Sequence, residues 1–298
     1  MSGAQKLEHA TLRVTNLPEA VVFYTDVMGL VELSRLDGRV YLGTGIDEHY
    51  DLAVEEGGTG VEHFAIRVSD ESVLDDYAER LVARGISTAR HDGTEPGQDA
   101  GLRFTLPSGV SMEFVVVPKR RYAHVTEGGA SKTDCGPVDL DHITLATSSP
   151  KRDAEFLRDA LGFRISDAAE QPSGEWGLAF TRFGAYHHDV GLIQSDNDAW
   201  NLFHLAWTFS SFDHMKLFAD NLARHGYPLE MGMNRHYFGD NLFAYFREPG
   251  GNRFEITAEM ATVDEDTPTY IHTAASEREN VVAAWGGIAL PESMKEGM

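Results

Sequence analysis

The chain has 298 residues, 42% hydrophobic and 24% charged, with a formal net charge of -22 at pH 7. So acidic a balance repels nucleic acid and anionic membrane surfaces, and neither is expected as a partner. Cys135 is the single cysteine, which excludes an intrachain disulfide and fits a cytoplasmic setting; MSGAQKLEH at the start has no apolar signal region, and no apolar run reaches membrane-spanning length.

From the N-terminus, residues 7–15 (LEHATLRVT) alternate as a strand. Asn16-Leu17-Pro18-Glu19 then starts a helix, with Asn as its cap and Pro in the first turn, which runs through EAVVFYTDVMGL to a stop at Gly29-Leu30. Two further strands follow, RVYLG (39–43) and YDLAVEE (50–56). A second strand–helix unit, VEHFAIRVSDESVLDDYAERLVARGI (61–86), ends at a glycine preceded by an arginine, and a hairpin turns at Pro107-Ser108-Gly109 within 102–117. Residues 118–139 are polar and Gly-containing, as a linker is.

The pattern then repeats. LDHITLATS and SPKRDAEFLRDALGF (140–163) match the first strand and helix, again stopping at Gly162-Phe163. GLAFTRF (177–183) and HDVGLIQ (188–194) are the next strands, LFHLAWTFSSFDHMKLFADNLARHGY (202–227) is the second strand–helix unit, and the closing hairpin (242–257) turns at Pro249-Gly250-Gly251. The fold class is therefore α+β, with two domains of two βαβββ modules each. The expected division is 1–118, a linker over 119–139, a second domain over 140–260, and an extension over 261–298 that has no repeat partner and covers the second domain or makes subunit contacts.

Each half carries a His on its first strand, a His on a later strand and a Glu on its last. In the second half these are His142, His204 and Glu255; in the first they are His9, His63 and Glu113. Two neutral imidazoles and one carboxylate are the ligand set that leaves neighbouring coordination positions open on a divalent ion, as in non-heme Fe(II) oxygenases. A lone strand His is usually a packed or surface residue. Three matching positions, ending in a strand Glu that would be costly to bury unpaired, argue for metal.

The second half resembles the type I extradiol ring-cleaving dioxygenases of the vicinal-oxygen-chelate superfamily. The resemblance lies in a His (His236), then a Tyr (Tyr245), a Pro-Gly turn (Pro249-Gly250) and the ligand Glu255, together with His188 at the head of the strand preceding the second metal His. It covers nearly the whole chain. It implies curved mixed sheets around the metal, Fe(II) as cofactor with Mn(II) as the alternative ion, a catechol and O2 as substrates, and a homo-oligomer, a tetramer or larger. It also implies catalytic roles: His188 as the acid/base that serves the reacting oxygen, and His236 and Tyr245 as the groups that position the catecholate. The product would be a hydroxymuconic-semialdehyde-type compound, opened beside rather than between the hydroxylated carbons.

The first half lacks this retinue, with Tyr50 where the repeat has His188 and Arg103 where it has Tyr245, so its His/His/Glu trio is expected to be a relic of duplication or a second, non-catalytic metal site. Only Arg235 stands near Met231-Gly232-Met233-Asn234, and the tail offers Arg278 before Val281, Val282, Ala283, Ala284 and Trp285. That apolar character suggests a neutral, alkyl- or aryl-substituted catechol, with Phe180 as a candidate wall. His187, His214, His225 and His272 read as structural or surface residues. Two competing readings keep the fold: a metal-dependent glyoxalase-like isomerase or thiol transferase, and a protein that sequesters an aromatic drug.

Overall fold

The computed structural model describes residues 3–117, 134–197, 199–273 and 283–286. The chain runs β1 (Ala4–Val14), α1 (Leu17–Val22), β2 (Val31–Leu36), β3 (Arg39–Gly43), β4 (Leu52–Glu56), β5 (Val61–Val68), α2 (Glu71–Val82), β6 (Thr88–His91), β7 (Ala100–Thr105) and β8 (Ser111–Val116). The second half runs β9 (Asp139–Thr147), α3 (Pro150–Leu161), β10 (Arg164–Glu170), β11 (Trp176–Arg182), β12 (Val190–Gln194), β13 (His204–Thr208), α4 (Phe212–Arg224), β14 (Met231–Arg235), β15 (Leu242–Arg247) and β16 (Arg253–Ala258). A last strand, β17 (Tyr270–His272), follows.

The halves form two mixed sheets, ordered β2-β3-β4-β1-β5-β8-β7-β6 and β14-β15-β16-β13-β9-β12-β11-β10-β17. In each the first strand of one module lies antiparallel to the first strand of the other, β1 against β5 and β9 against β13, and pairs in parallel with the last strand of its own module. The strands alternate as they must. Phe254 and Ile256 on β16 and Leu205 and Trp207 on β13 are buried toward the helices, which leaves His204 and Glu255 on the other face.

The helix caps follow the sequence. Asn16 accepts from Glu19 N (3.2 Å), and Ser149 and Ser211 cap α3 and α4 in the same way. Gly29 and Gly162 take the left-handed conformation (φ 73° and 75°) at the predicted stops. The first helix departs from expectation. It is α-helical only to Val22 and continues over Phe23–Val27 as a π-helix, with Met28 N bonded to Phe23 O at 3.0 Å. The wider turn lets the adjacent Phe23 and Tyr24 both face the core beside Val27 and Met28.

Within 261–298, β17 adds to the second sheet in parallel beside β10, and residues 283–286 lie against β14, with Ala284 N bonded to Arg235 O at 2.8 Å. Arg278, Val281, Val282 and most of the 118–139 segment lie outside the described residues. Among the described residues no helix is long and apolar enough to cross a membrane.

Candidate metal centre

Five neighbouring strand positions of the second sheet supply the site. Across β15, β16, β13, β9 and the approach to β12, the side chains are Tyr245, Glu255, His204, His142 and His188. Three of them converge. His142 Nε2 is 3.1 Å from His204 Nε2, and Glu255 Oε2 is 3.3 Å from His204 Nε2 and 3.9 Å from His142 Nε2. All three residues are buried.

The donors suit a divalent ion. His142 Nδ1 donates to Asp141 Oδ1 at 2.7 Å, so its Nε2 carries the lone pair and faces inward. Glu255 Oε1 accepts from Asn241 Nδ2 at 3.1 Å, which leaves Oε2 toward the histidines. His204 Nδ1 is buried and has no hydrogen-bond partner among the described residues.

Without a cation such a cluster is electrostatically expensive. Burial pushes the Glu255 carboxyl up to about 7 and pushes His204 well below its ordinary value. For His142 burial opposes the charged form, yet the Asp141 hydrogen bond and the nearby Glu255 carry it upward. Protons are drawn in where a divalent ion would neutralise the carboxylate, and that behaviour fits the residues to a metal.

His188 lies over the cluster, its ring centroid 4.3 Å from that of His142, and burial and the charge on His142 hold it well below its ordinary value. His187, read from sequence as structural or surface, is buried beneath it. His187 Nδ1 is 3.0 Å from His188 Nδ1, His187 Nε2 is 2.6 Å from Asp167 Oδ2, and His272 Nε2 is 2.8 Å from Asp167 Oδ1. A carboxylate only accepts, so His187 Nε2 carries a proton, and its Nδ1 is assigned as the acceptor toward His188. His188 Nδ1 therefore donates, and His188 Nε2 keeps its lone pair.

Tyr245 and His236 form the other side. Tyr245 Oη is 3.0 Å from His236 Nε2, and burial followed by the charge of Glu255 raises the phenol well above its ordinary value, so it remains a donor. The His236 ring stacks on Phe243 at 3.7 Å, and its Nε2 is 4.0 Å from Glu255 Oε2. Phe180, 4.6 Å from His188, and Phe238, 5.7 Å from Phe180, form an aromatic wall.

Sequence reasoning missed Asp141, Asn241, Asp167 and the roles of His187 and His272. The His187-His188 doublet was the signal available for the last group; the others lie at strand and loop positions that carry no distinguishing pattern. A cavity of about 260 Å³ opens beside His188 and Asp141, whereas one of about 580 Å³, lined by Arg80, Arg164 and Arg182 among others, touches none of these residues.

A family model described as the Glyoxalase/Bleomycin resistance protein/Dioxygenase superfamily matches residues 6–114 and 139–256. The chain is 28% identical over 302 residues to a metapyrocatechase of Geobacillus stearothermophilus, covering 97% of this chain and 91% of that protein. The 2,3-dioxygenase LapB from Pseudomonas sp. KL28 superposes with a TM-score of 0.83 at 25% identity, over 92% of this chain and 98% of that one. A Mn(II)-bound glyoxalase from Novosphingobium aromaticivorans superposes with a TM-score of 0.82 at 26% identity, over 97% and 93%.

Proposed function

The chain belongs to the Glyoxalase/Bleomycin resistance protein/Dioxygenase superfamily, and from that premise we propose that it is a metal-dependent extradiol dioxygenase, opening a catechol with O2 beside its hydroxylated carbons. His142, His204 and Glu255 hold the metal, and His188, His236 and Tyr245 serve the reaction. The observation that carries this reading is the pairing of a two-His, one-Glu cluster with a buried His188 whose ring lies 4.3 Å from that of His142. The dioxygenase names of the metapyrocatechase and LapB relatives support it.

When bound, a redox-active ion supplies a common anchor for the two catechol oxygens and O2 and a route for electrons between them. Three protein ligands leave positions enough for both substrates. The ion is Fe(II), with Mn(II) as the alternative, since both suit a set of two imidazoles and one carboxylate.

Proton handling falls to the protein. His188, through its Nε2, takes a proton from the substrate side and returns it to the oxygen that becomes basic as the ring opens. The proton state of His188 is set through its Nδ1 by His187, which Asp167 anchors. Tyr245 Oη donates toward the catechol oxygens and, with His236, fixes the ring plane. Phe180, Phe238 and Phe243 limit water in the pocket. Arg235 is engaged by Glu259 at 2.5 Å and Arg253 by Glu230 at 2.7 Å, so neither is presented to a substrate carboxylate, which supports a neutral catechol. The exposed Tyr270 and Ile271 on the edge strand β17 support a homo-oligomer, and the cysteine content supports a cytoplasmic protein.

The experiment is O2 uptake with catechol by anaerobically loaded protein, Fe(II) and Mn(II) in parallel. Stoichiometric uptake with a yellow ring-opened product supports the reading. Absence of uptake with either ion in fully loaded protein, or isomerisation of a hemithioacetal under anaerobic conditions, contradicts it.

A further inference from the structure

The first sheet repeats the geometry of the second at its own centre. His9 Nε2 is 3.3 Å from His63 Nε2, and Glu113 Oε2 is 3.5 Å from His63 Nε2. These spacings match the 3.1 and 3.3 Å of the second-sheet trio. The supporting contacts are of the same kind. His63, the counterpart of His204, has its Nδ1 held by Glu62, the residue before it, whereas in the second sheet the contact of this kind falls on the other imidazole, between His142 and Asp141. Glu113 Oε1 is held by His91 Nε2 at 2.6 Å, as Glu255 Oε1 is held by Asn241. Imidazoles turned by a carboxylate on their outer nitrogen are what metal ligands require.

A fourth donor joins, one more than the second-sheet group has among the described residues. Glu95, from the segment between β6 and β7, brings Oε2 to 3.4 Å from His9 Nε2 and 3.6 Å from His63 Nε2. It is fixed there by Tyr50 Oη (2.5 Å), Gln98 Nε2 (3.0 Å) and Arg39 Nη1 (2.8 Å). The four residues are buried, and their ligand atoms lie within 4.8 Å of one another. Gly101 keeps β7 bare alongside, where a Cβ would stand 2.3 Å from Glu113 Oε1.

We propose that the first sheet binds a second divalent metal ion on His9, His63, Glu95 and Glu113, and that this ion is structural, fastening the Glu95 segment to β1, β5 and β8. A set of two imidazoles and two carboxylates suits first-row divalent ions and holds Zn²⁺ more tightly than Mn²⁺ or Fe²⁺. Four protein ligands close the site, whereas a catalytic one keeps positions open. Tyr50, at the position of His188, is committed to Glu95, and Arg103 stands at the position of Tyr245.

Arg103 is the competitor. Its Nη2 is 3.0 Å from His63 Nε2 and 2.7 Å from Glu113 Oε2, so the guanidinium sits where the ion would bind. The Arg103 side chain is 27% exposed, against 4% for Glu95 and 0% for Glu113, which leaves it room to swing outward when the ion enters.

The test uses chelator-stripped protein reloaded with Zn²⁺, freed of excess, and assayed for metal per chain. Wild type should hold two ions, Glu95→Gln one, Glu255→Gln one and the double variant none, and Zn²⁺ should raise the melting temperature of Glu255→Gln but not of the double variant. Glu95→Gln, reloaded with Fe(II), should retain the wild-type rate of O2 uptake. One ion in wild type with none in Glu255→Gln overturns the proposal, and so does a double variant that binds as Glu255→Gln does. Should Glu95→Gln fail to fold, the ion count and thermal shift of Glu255→Gln decide the matter alone.

Discussion

Asp167 accepts from His187 and His272 at once, and through His187 it dictates which nitrogen of His188 is free. An amide at this position can donate as well as accept, so Asp167→Asn loosens the tautomer assignment of His187 and then of His188. The expected result is a fall in kcat of about tenfold to a hundredfold, a displaced pH–rate profile, and unchanged metal content; an unaltered profile would remove His187 and Asp167 from the account. Asp189, beside His188, is buried and accepts from Phe183 N at 2.9 Å, and burial lifts its carboxyl to about 7. A folded-state value above the unfolded one means that the folded form binds the proton more tightly, so stability is full below the unfolded value and declines as pH rises through about 7. Asp189→Asn keeps the acceptor without the charge. Its melting temperature should exceed that of wild type at about pH 8.5, with the excess shrinking as pH falls and vanishing only near the unfolded carboxyl value of about 4, and a constant difference across that range would contradict the assignment.

At the level of elements, the ligand strands were legible because each pairs an apolar alternation with one polar residue out of place: His142 in LDHITLAT, His204 in NLFHLAWTF, Glu255 in GNRFEITAE. The strands that sequence did not single out, β2, β6, β10, β14 and β17, lie toward the ends of the sheets, and β2 and β6 are largely solvent-exposed and so lack the alternation that marks a half-buried strand. Glu95 was illegible for a different reason: it lies in a turn-rich segment, where no periodicity marks a direction. Two glycines separate backbone strain from packing. At Gly162 the surroundings are open, but φ is 75°, so Gly162→Ala should cost about 1–2 kcal/mol in denaturant unfolding and leave turnover intact. At Gly191 a Cβ would meet Thr144 Oγ1 at 2.4 Å across the β12–β9 pairing. Gly191→Ala should therefore push β12 from β9, displace His188 from His142, and lower kcat as well as stability, by about 1–3 kcal/mol for the latter. Turnover at the wild-type rate would show that the β12–β9 spacing does not govern His188.

Across the whole molecule the halves are joined by polar clasps rather than by the linker alone. Asn252 accepts from Gly60 N at 2.7 Å and donates to Arg13 O at 2.8 Å, while Asn201 makes both bonds to the backbone of Val61. Asp153 on α3 accepts from Ser108 N at 2.9 Å, and a buried Lys6–Asp139 pair ties β1 to β9. Asn252→Ala strands a buried donor and acceptor and should cost about 1–3 kcal/mol, read as a lower midpoint of a single unfolding transition; two resolved transitions in wild type would show that the halves melt independently. The repeat that signals the duplicated fold also sets up the chemical asymmetry, since equivalent positions carry His188 and Tyr245 in one sheet and Tyr50 and Arg103 in the other. The central claim is that the second sheet alone opens the ring, and product analysis of catechol turnover tests it most directly, with wild type, His204→Ala and His63→Ala loaded with Fe(II) side by side. Wild type and His63→Ala should give the same ring-opened semialdehyde with one O2 consumed per catechol, and His204→Ala should give none and hold less iron. Full turnover by His204→Ala, or a product opened between the two hydroxylated carbons, would contradict it.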